Sequence, residues 1–161
     1  MSALSIRRAA RRDAPVIFRL IRGLAEYERL AHQMEATVGQ IRRHGFGRRR
    51  YFDALICRRG RTAVGFALYF FTYSTFMGRP TLYLEDLFVL PEERGRGAGR
   101  ALLAELARIA VRRGCGRLEW AVLDWNTPSI GFYRTLGAVP MDEWTVFRLD
   151  GAALEKLGRE S

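Results

Sequence analysis

Leu82-Tyr83-Leu84-Glu85-Asp86-Leu87-Phe88-Val89-Leu90-Pro91-Glu92-Glu93-Arg94-Gly95-Arg96-Gly97-Ala98-Gly99-Arg100-Ala101-Leu102-Leu103 is the stretch from which the fold can be read. The apolar run 82–89 predicts a strand with two acids in mid-run, Glu85 and Asp86. Pro91 and the glycines end it. An amphipathic helix then runs from Ala98 to Arg113, with Leu102, Leu106, Ile109 and Ala110 on its expected buried face. Glycine admits backbone angles that other residues avoid and lets a ligand approach the main chain. The first amides of a helix lack internal partners and carry a partial positive charge. Strand, glycine turn and helix start together make a pyrophosphate cradle, and the acids upstream put a candidate base beside it.

Spacing excludes two familiar cradles. The dinucleotide fingerprint G-x-G-x-x-G fails because Arg100 stands at its third glycine. The P-loop needs a lysine at the helix start, and the only lysine in the chain is Lys156. What remains is Arg94-x-x-Gly97-x-Gly99 after a V-x-P-E-x-R stretch.

Around this segment the chain reads as a mixed sheet with helices. Residues 3–8 read as a strand, and Asp13 as a helix cap with Pro15 in the first turn. Val16, Leu20, Leu24 and Tyr27 recur at helical spacing. Thr37 and Gln40 resemble a capping box for a short second helix that stops near Gly45. Tyr51–Cys57 and Ala63–Thr72 read as a hairpin turning near Gly60. After the glycine loop and its helix come a strand at Arg117–Leu123 and a helix at Asn126–Leu136 closed by Gly137. A last strand at Trp144–Leu149 and a C-terminal helix from Asp150 complete the order. Antiparallel strands come first and a crossover helix follows, so the expected fold class is α/β: a mixed, mostly antiparallel sheet with helices on both faces. Residues 1–161 are expected to form a single domain.

Composition narrows the function classes. With 48% hydrophobic and 27% charged residues the chain reads as a soluble globular protein. No apolar run approaches the roughly 20 residues of a membrane span. MSALSIRRAARR lacks the apolar core of a secretory signal. Two cysteines, Cys57 and Cys115, give no disulfide framework, so a reducing, cytoplasmic setting is expected. His32 and His44 form no spaced Cys/His cluster, and no metal is expected. The net charge of +10 raises nucleic-acid binding. The arginine pairs are scattered, however, and none forms a helix or ribbon that would enter a groove. Arginine outnumbers lysine 26 to 1, a skew of codon usage more than of a site. A positive field still favours an anionic cofactor.

The other informative segment is Asp124-Trp125-Asn126-Thr127-Pro128-Ser129-Ile130-Gly131-Phe132-Tyr133. Asn126 or Thr127 can cap the helix. Tyr133, about two turns on, falls on nearly the same face as Asn126. A phenol, with a reference pKa of about 10, is a good proton donor to a thiolate, whose conjugate thiol sits at about 8.5.

The loop at Arg94–Gly99 and the pattern from Asn126 to Gly137 resemble, in the right order, the two signatures of the GNAT superfamily of N-acetyltransferases. The chain is most similar to the diamine (spermidine/spermine) N-acetyltransferase family. That likeness runs from Ile6 to about Leu157. It is carried by Ile21–Glu28, His44–Gly47, Val64–Ser74, Tyr83–Val89 and Trp125–Ile130. The resemblance implies acetyl-CoA as cofactor and coenzyme A as product. Main-chain groups of Leu87, Phe88 and Val89 would pair with the pantetheine arm like an added strand. Arg94, Gly95, Arg96, Gly97, Ala98, Gly99 and Arg100 would hold the pyrophosphate, and Asn126, Ser129 and Tyr133 would contact the cofactor. Tyr133 would protonate the departing thiolate and Glu85 would take the amine's proton through water. Tyr27, Glu28 and Glu85, with Trp120 nearby, would line the amine side. A homodimer is also implied.

Chemistry agrees with that assignment. An amine with a reference pKa near 10.4 must lose its proton before it attacks a thioester. Acids attract the cation and give the proton an exit, and a direct transfer needs only the two substrates held together. Because adjacent strand residues face opposite sides, only one of Glu85 and Asp86 can face the amine unless a bulge intervenes. Glu85 is favoured as base, with Asp86 secondary. Ser74 stands where the diamine enzymes carry an acid, and the chain is basic. Both points count against spermine as the main substrate, and a smaller amine, or an amino acid with a side-chain amine such as a thialysine-like compound, fits about as well. The carboxylate of such a substrate could pair with arginine. The alternatives are an acetyl-CoA sensor or Arg-rich nucleic-acid binder on the same scaffold, and a protein or peptide acetyltransferase.

Overall fold

Aromatic and β-branched residues draw four segments into an antiparallel set of strands. A computed structural model describes residues 2–160. Its strands are β1 (Leu4–Arg8), β2 (Asp53–Arg59), β3 (Thr62–Ser74), β4 (Arg79–Val89) and β5 (Arg117–Trp120), in the order β1-β2-β3-β4-β5. Pairing is antiparallel as far as β4, whereas β4 and β5 are parallel. A parallel pair needs a crossover, and helix α3 (Ala98–Arg112) supplies it.

The chain divides into two compact units, Met1–Leu123 and Asp124–Ser161. The first holds the sheet, α1 (Ala14–Tyr27), α2 (Val38–Phe46) and α3. Alternation along the strands sorts its core into two layers. Ile56, Phe66, Leu68 and Phe88 pack with Ile17 and Leu20 of α1 and Ile41 of α2. Leu55 and Tyr69, one step out of phase, share a cavity wall with Glu105 and Ile109 of α3. Helices therefore cover both faces of the sheet, as expected. Ile109 is half-buried, while Leu102, Leu106 and Ala110 are buried. The capping box forms: Gln40 N–H donates to Thr37 Oγ1 (3.1 Å) and Thr37 N–H to Gln40 Oε1 (2.9 Å).

Asp13 departs from its expected role. It precedes α1 but makes no side-chain cap there. Its carboxylate turns back to accept from Ala10 N–H at 2.7 Å and from both Nη atoms of Arg7 at 2.7 and 2.8 Å. A bidentate arginine outcompetes a single amide for a buried carboxylate. The Arg7 hydrogen bond holds the Asp13 carboxyl below its ordinary value. The stability it confers is thus present above the ordinary carboxylate range and lost as pH falls through the lowered folded value. Asp13→Asn should cost about 2 kcal/mol at neutral pH and flatten the acid limb of the stability profile, as read by urea unfolding at pH 3 and 7.

The second unit holds α4 (Thr127–Thr135) and α5 (Gly151–Gly158). Asn126, not Thr127, caps α4, its Oδ1 accepting from Ser129 N–H at 3.4 Å. Gly137 takes the left-handed conformation expected of a helix end, with φ 87°. Lys156 lies exposed in the last turn of α5. The expected strand at Trp144–Leu149 does not form. Its alternating pattern is real, but a strand exists only through a ladder partner, and no described strand pairs with it. Val146 and Phe147 are left 90% and 91% exposed.

Candidate active site

The strand of acids is built around a slip in register. Leu68 pairs with Asp86 and Tyr69 with Leu84, so Glu85 is an extra residue with no partner on β3. This is a β-bulge, which bends the strand and re-aims its side chains. It removes the constraint that sent Glu85 and Asp86 to opposite faces. Desolvation, then the charges of Glu85 and of Glu28, push the Asp86 carboxyl up to about 7. Burial also raises the Glu28 carboxyl. The charges of Glu85 and Glu28 thus both reach Asp86.

Glu28 and Tyr27 approach β4 from the end of α1. Leu30 N–H donates to Ala25 C=O at 2.8 Å, and Arg29 adopts φ 61°, a left-handed angle unusual outside glycine. Gly23 lets the helix sit this close: a Cβ there would lie 2.7 Å from the Phe88 ring of β4. Trp120 pairs with Leu84, one residue from the bulge. Glu28 and Glu85 thus act on the same residue of β4, Asp86, while Trp120 adjoins the bulge through its pairing with Leu84 and Tyr27 stacks under Arg94.

The bulge also explains why β5 is shorter than the Arg117–Leu123 expected. β4 and β5 run together from Thr81–Arg117 to Leu84–Trp120 and part where β4 bends at Glu85. Beyond the fork, Leu87, Phe88 and Val89 pair with Ala67, Phe66 and Gly65 on one side only, among the described residues. Their other edge has the form of an added-strand site. One of its groups is engaged, since Arg94 Nε donates to Val89 C=O at 3.3 Å.

The glycine loop follows. Gly95 and Gly97 have φ 72° and 90°, angles that side chains resist. They turn the chain so that α3 starts at Ala98, and its first bond runs from Ala101 N–H to Gly97 C=O at 3.0 Å. The amides of Ala98, Gly99 and Arg100 precede that bond and sit at the positive end of the helix dipole. Glu93 fixes the loop to the sheet through Arg59 (2.8 Å) and Arg96 (3.1 Å). The sequence reading missed this clamp. The only sequence trace of it was the acid pair before the glycines, with no hint that Arg59 would meet it. Arg94 lies over the Tyr27 ring, 4.3 Å from its centroid, and so links the loop to the end of α1. A diphosphate fits this donor set of amides and arginines, and a thioester arm fits the open edge beside it.

In the second unit, α4 carries Asn126, Ser129 and Tyr133. The Asn126 side-chain oxygen serves the helix cap described above, and Asn126 is buried. Tyr133 packs against Phe132, ring centroids 5.8 Å apart, and its carbonyl accepts from Leu136 and Ala138 N–H.

Comparison with known proteins accords with this geometry. Residues 16–138 match the acetyltransferase (GNAT) family. The mouse thialysine N-epsilon-acetyltransferase is 38% identical over 98% of each chain. The human spermidine/spermine N(1)-acetyltransferase-like protein 1 is 36% identical over 93% of this chain and 23% of that protein. Among solved structures, an integron cassette protein from V. cholerae superposes with a TM-score of 0.82 at 25% identity, covering 99% of both chains. The chain belongs to the GNAT family of acetyltransferases, enzymes that use acetyl-CoA as co-substrate.

Proposed function

We propose that this enzyme transfers acetyl from acetyl-CoA directly to the primary amine of a small molecule, with a thialysine-like amino acid favoured over a long polyamine. The observation that carries this reading is the bulge at Glu85, which sets an exposed acid beside Asp86, a carboxyl that also feels Glu28, next to the open edge of β4. The full-length similarity to a thialysine acetyltransferase supports the choice of amine. So does the substitution of Ser74 for an acid on a basic chain. Acetyl-CoA supplies the acyl group as a thioester. Leu87, Phe88 and Val89 hold its arm, residues Arg94–Arg100 its diphosphate, and Asn126 and Ser129 add contacts from α4. Glu85, exposed at the bulge, takes the amine's proton through water. Asp86 and Glu28 hold the cation and set the acidity of the pocket, and Tyr133 returns a proton to the thiolate. Both units work as one acetyltransferase domain, which the family match across residues 16–138 supports.

The test is a thiol-release assay over an amine panel containing thialysine, ornithine, lysine, putrescine, spermidine and spermine. Turnover highest with an amino acid is expected. Absence of turnover throughout overturns the reading, and duplex-DNA binding without turnover would favour the scaffold alternative. With Asp86 titrating at about 7, kcat/KM should rise with pH through that value as the pocket gains its charge. Asp86→Asn should abolish this limb. It should also remove a stability loss between about pH 4 and 7, where the folded chain keeps a proton that the unfolded chain has released.

The working setting is taken to be the cytoplasm, since Cys57 and Cys115 are free. No helix among the described residues is long and apolar enough to cross a membrane. Two copies associate in this reading, because the strand-like Trp144–Leu149 exposes Val146 and Phe147. Sedimentation at micromolar concentration should give a dimer, and Phe147→Asp should shift it to monomer.

A further inference from the structure

On the α3 side of the sheet, a cavity of about 330 Å³ opens between that helix and β1–β3. Two of its lining side chains, Leu55 and Tyr69, are each only 4% exposed. A buried phenol ordinarily finds a hydrogen-bond partner. The Tyr69 hydroxyl makes no hydrogen bond among the described residues and is not sealed off, so it is open to the cavity that Tyr69 lines. Burial, reinforced by the charges of Asp53 and Glu105, raises its pKa, so it keeps its proton and stands as a donor.

Arg7, Arg8, Arg112 and Arg113 line the cavity against one carboxylate, Glu105. They are not equally committed. Arg7 is held bidentate by Asp13. Arg8 pairs with Asp53, which Arg50 also contacts. Glu105 takes Arg108 at 2.8 Å and meets Arg112 only at 3.5 Å. Arg113 has no carboxylate partner among the described residues and rests over Phe71, 4.7 Å from the ring centroid. One charge is thus unmatched and a second weakly matched, beside a spare hydroxyl donor. The rest of the lining is carbon from Ile6, Leu55 and Ile109. An inorganic anion would leave that carbon uncovered, whereas an anion with an apolar body satisfies both halves.

We propose that this cavity is a binding site for a small organic monocarboxylate. Its carboxylate lies among Arg112, Arg113 and the Tyr69 hydroxyl, and its body lies against Ile6, Leu55 and Ile109. The site backs onto the strand of acids: Tyr69 pairs with Leu84, and the register slips between Leu68 and Tyr69, opposite Glu85.

Isothermal titration of the full chain with benzoate tests this, with coenzyme A in excess so that the pyrophosphate loop is filled. Benzamide, which has the shape without the charge, and inorganic phosphate, which has the charge without the body, are the controls. Saturable benzoate binding is expected, with both controls at least about tenfold weaker. Arg113→Gln should weaken benzoate about tenfold and Tyr69→Phe about threefold to tenfold, each with unchanged coenzyme A affinity as proof of folding. If Tyr69→Phe disturbs coenzyme A binding, Arg113→Gln decides. No saturation by benzoate, phosphate binding as tight as benzoate, or benzoate binding indifferent to Arg113→Gln overturns the proposal.

Discussion

Tyr133→Phe should lower kcat by about 10²–10⁴-fold and weaken acetyl-CoA binding much less, since the phenol's bond to the sulfur strengthens only as thiolate charge develops. The ring keeps its packing on Phe132 and the backbone keeps its bonds to Leu136 and Ala138. The substitution removes the hydroxyl. A coenzyme A thiolate then leaves without its donor. Stopped-flow turnover and cofactor titration on the same preparation separate the two quantities. An unchanged kcat would remove Tyr133 as the acid. A parallel loss of binding and rate would make it a positioning residue instead.

The second large effect is expected at the bulge. Glu85→Gln should reduce kcat/KM by about 10²-fold or more, by removing the proton acceptor. It carries a second signature. Glu85 is one of the charges that raise the Asp86 carboxyl, so its neutralisation should move the acid limb of the residual rate to lower pH. Asp86→Asn should erase that limb with a smaller loss of rate. If Asp86→Asn proved the more damaging and Glu85→Gln only shifted the profile, the two acids would exchange roles. A pH–rate series on the two single variants distinguishes these outcomes.

What could be read in advance follows how local the physics is. Thr37 and Gln40 cap each other within three residues, and the loop at Gly95–Gly99 combines a strand end, turn and helix start in one short span. Such features are visible because sequence neighbours create them. The strands β1–β4 were legible because short runs of apolar, aromatic and β-branched residues stand between turn residues. The bulge at Glu85 was only conditionally legible, as the exception that would let both acids face the amine. Its cause lies in how β3 and β4 register over ten paired positions. Asp13 was read as a cap, because no local rule says that Arg7 will turn toward it. Trp144–Leu149 has the right alternation, yet no pattern within one segment can supply a ladder partner. The Glu93 clamp reaches Arg59 across 34 residues of chain and was equally invisible.

Lys156 has a practical side. It is the only lysine in the chain, and it sits exposed on α5, in the unit that lacks the sheet and its acids. An enzyme whose chemistry targets primary amines thus offers one side-chain amine of its own, so self-acetylation has little surface to consume. For the same reason, activated-ester coupling directed at side chains would anchor the molecule through α5. Dyes, beads or sensor chips attached there would leave the glycine loop and the bulge chemically unmodified.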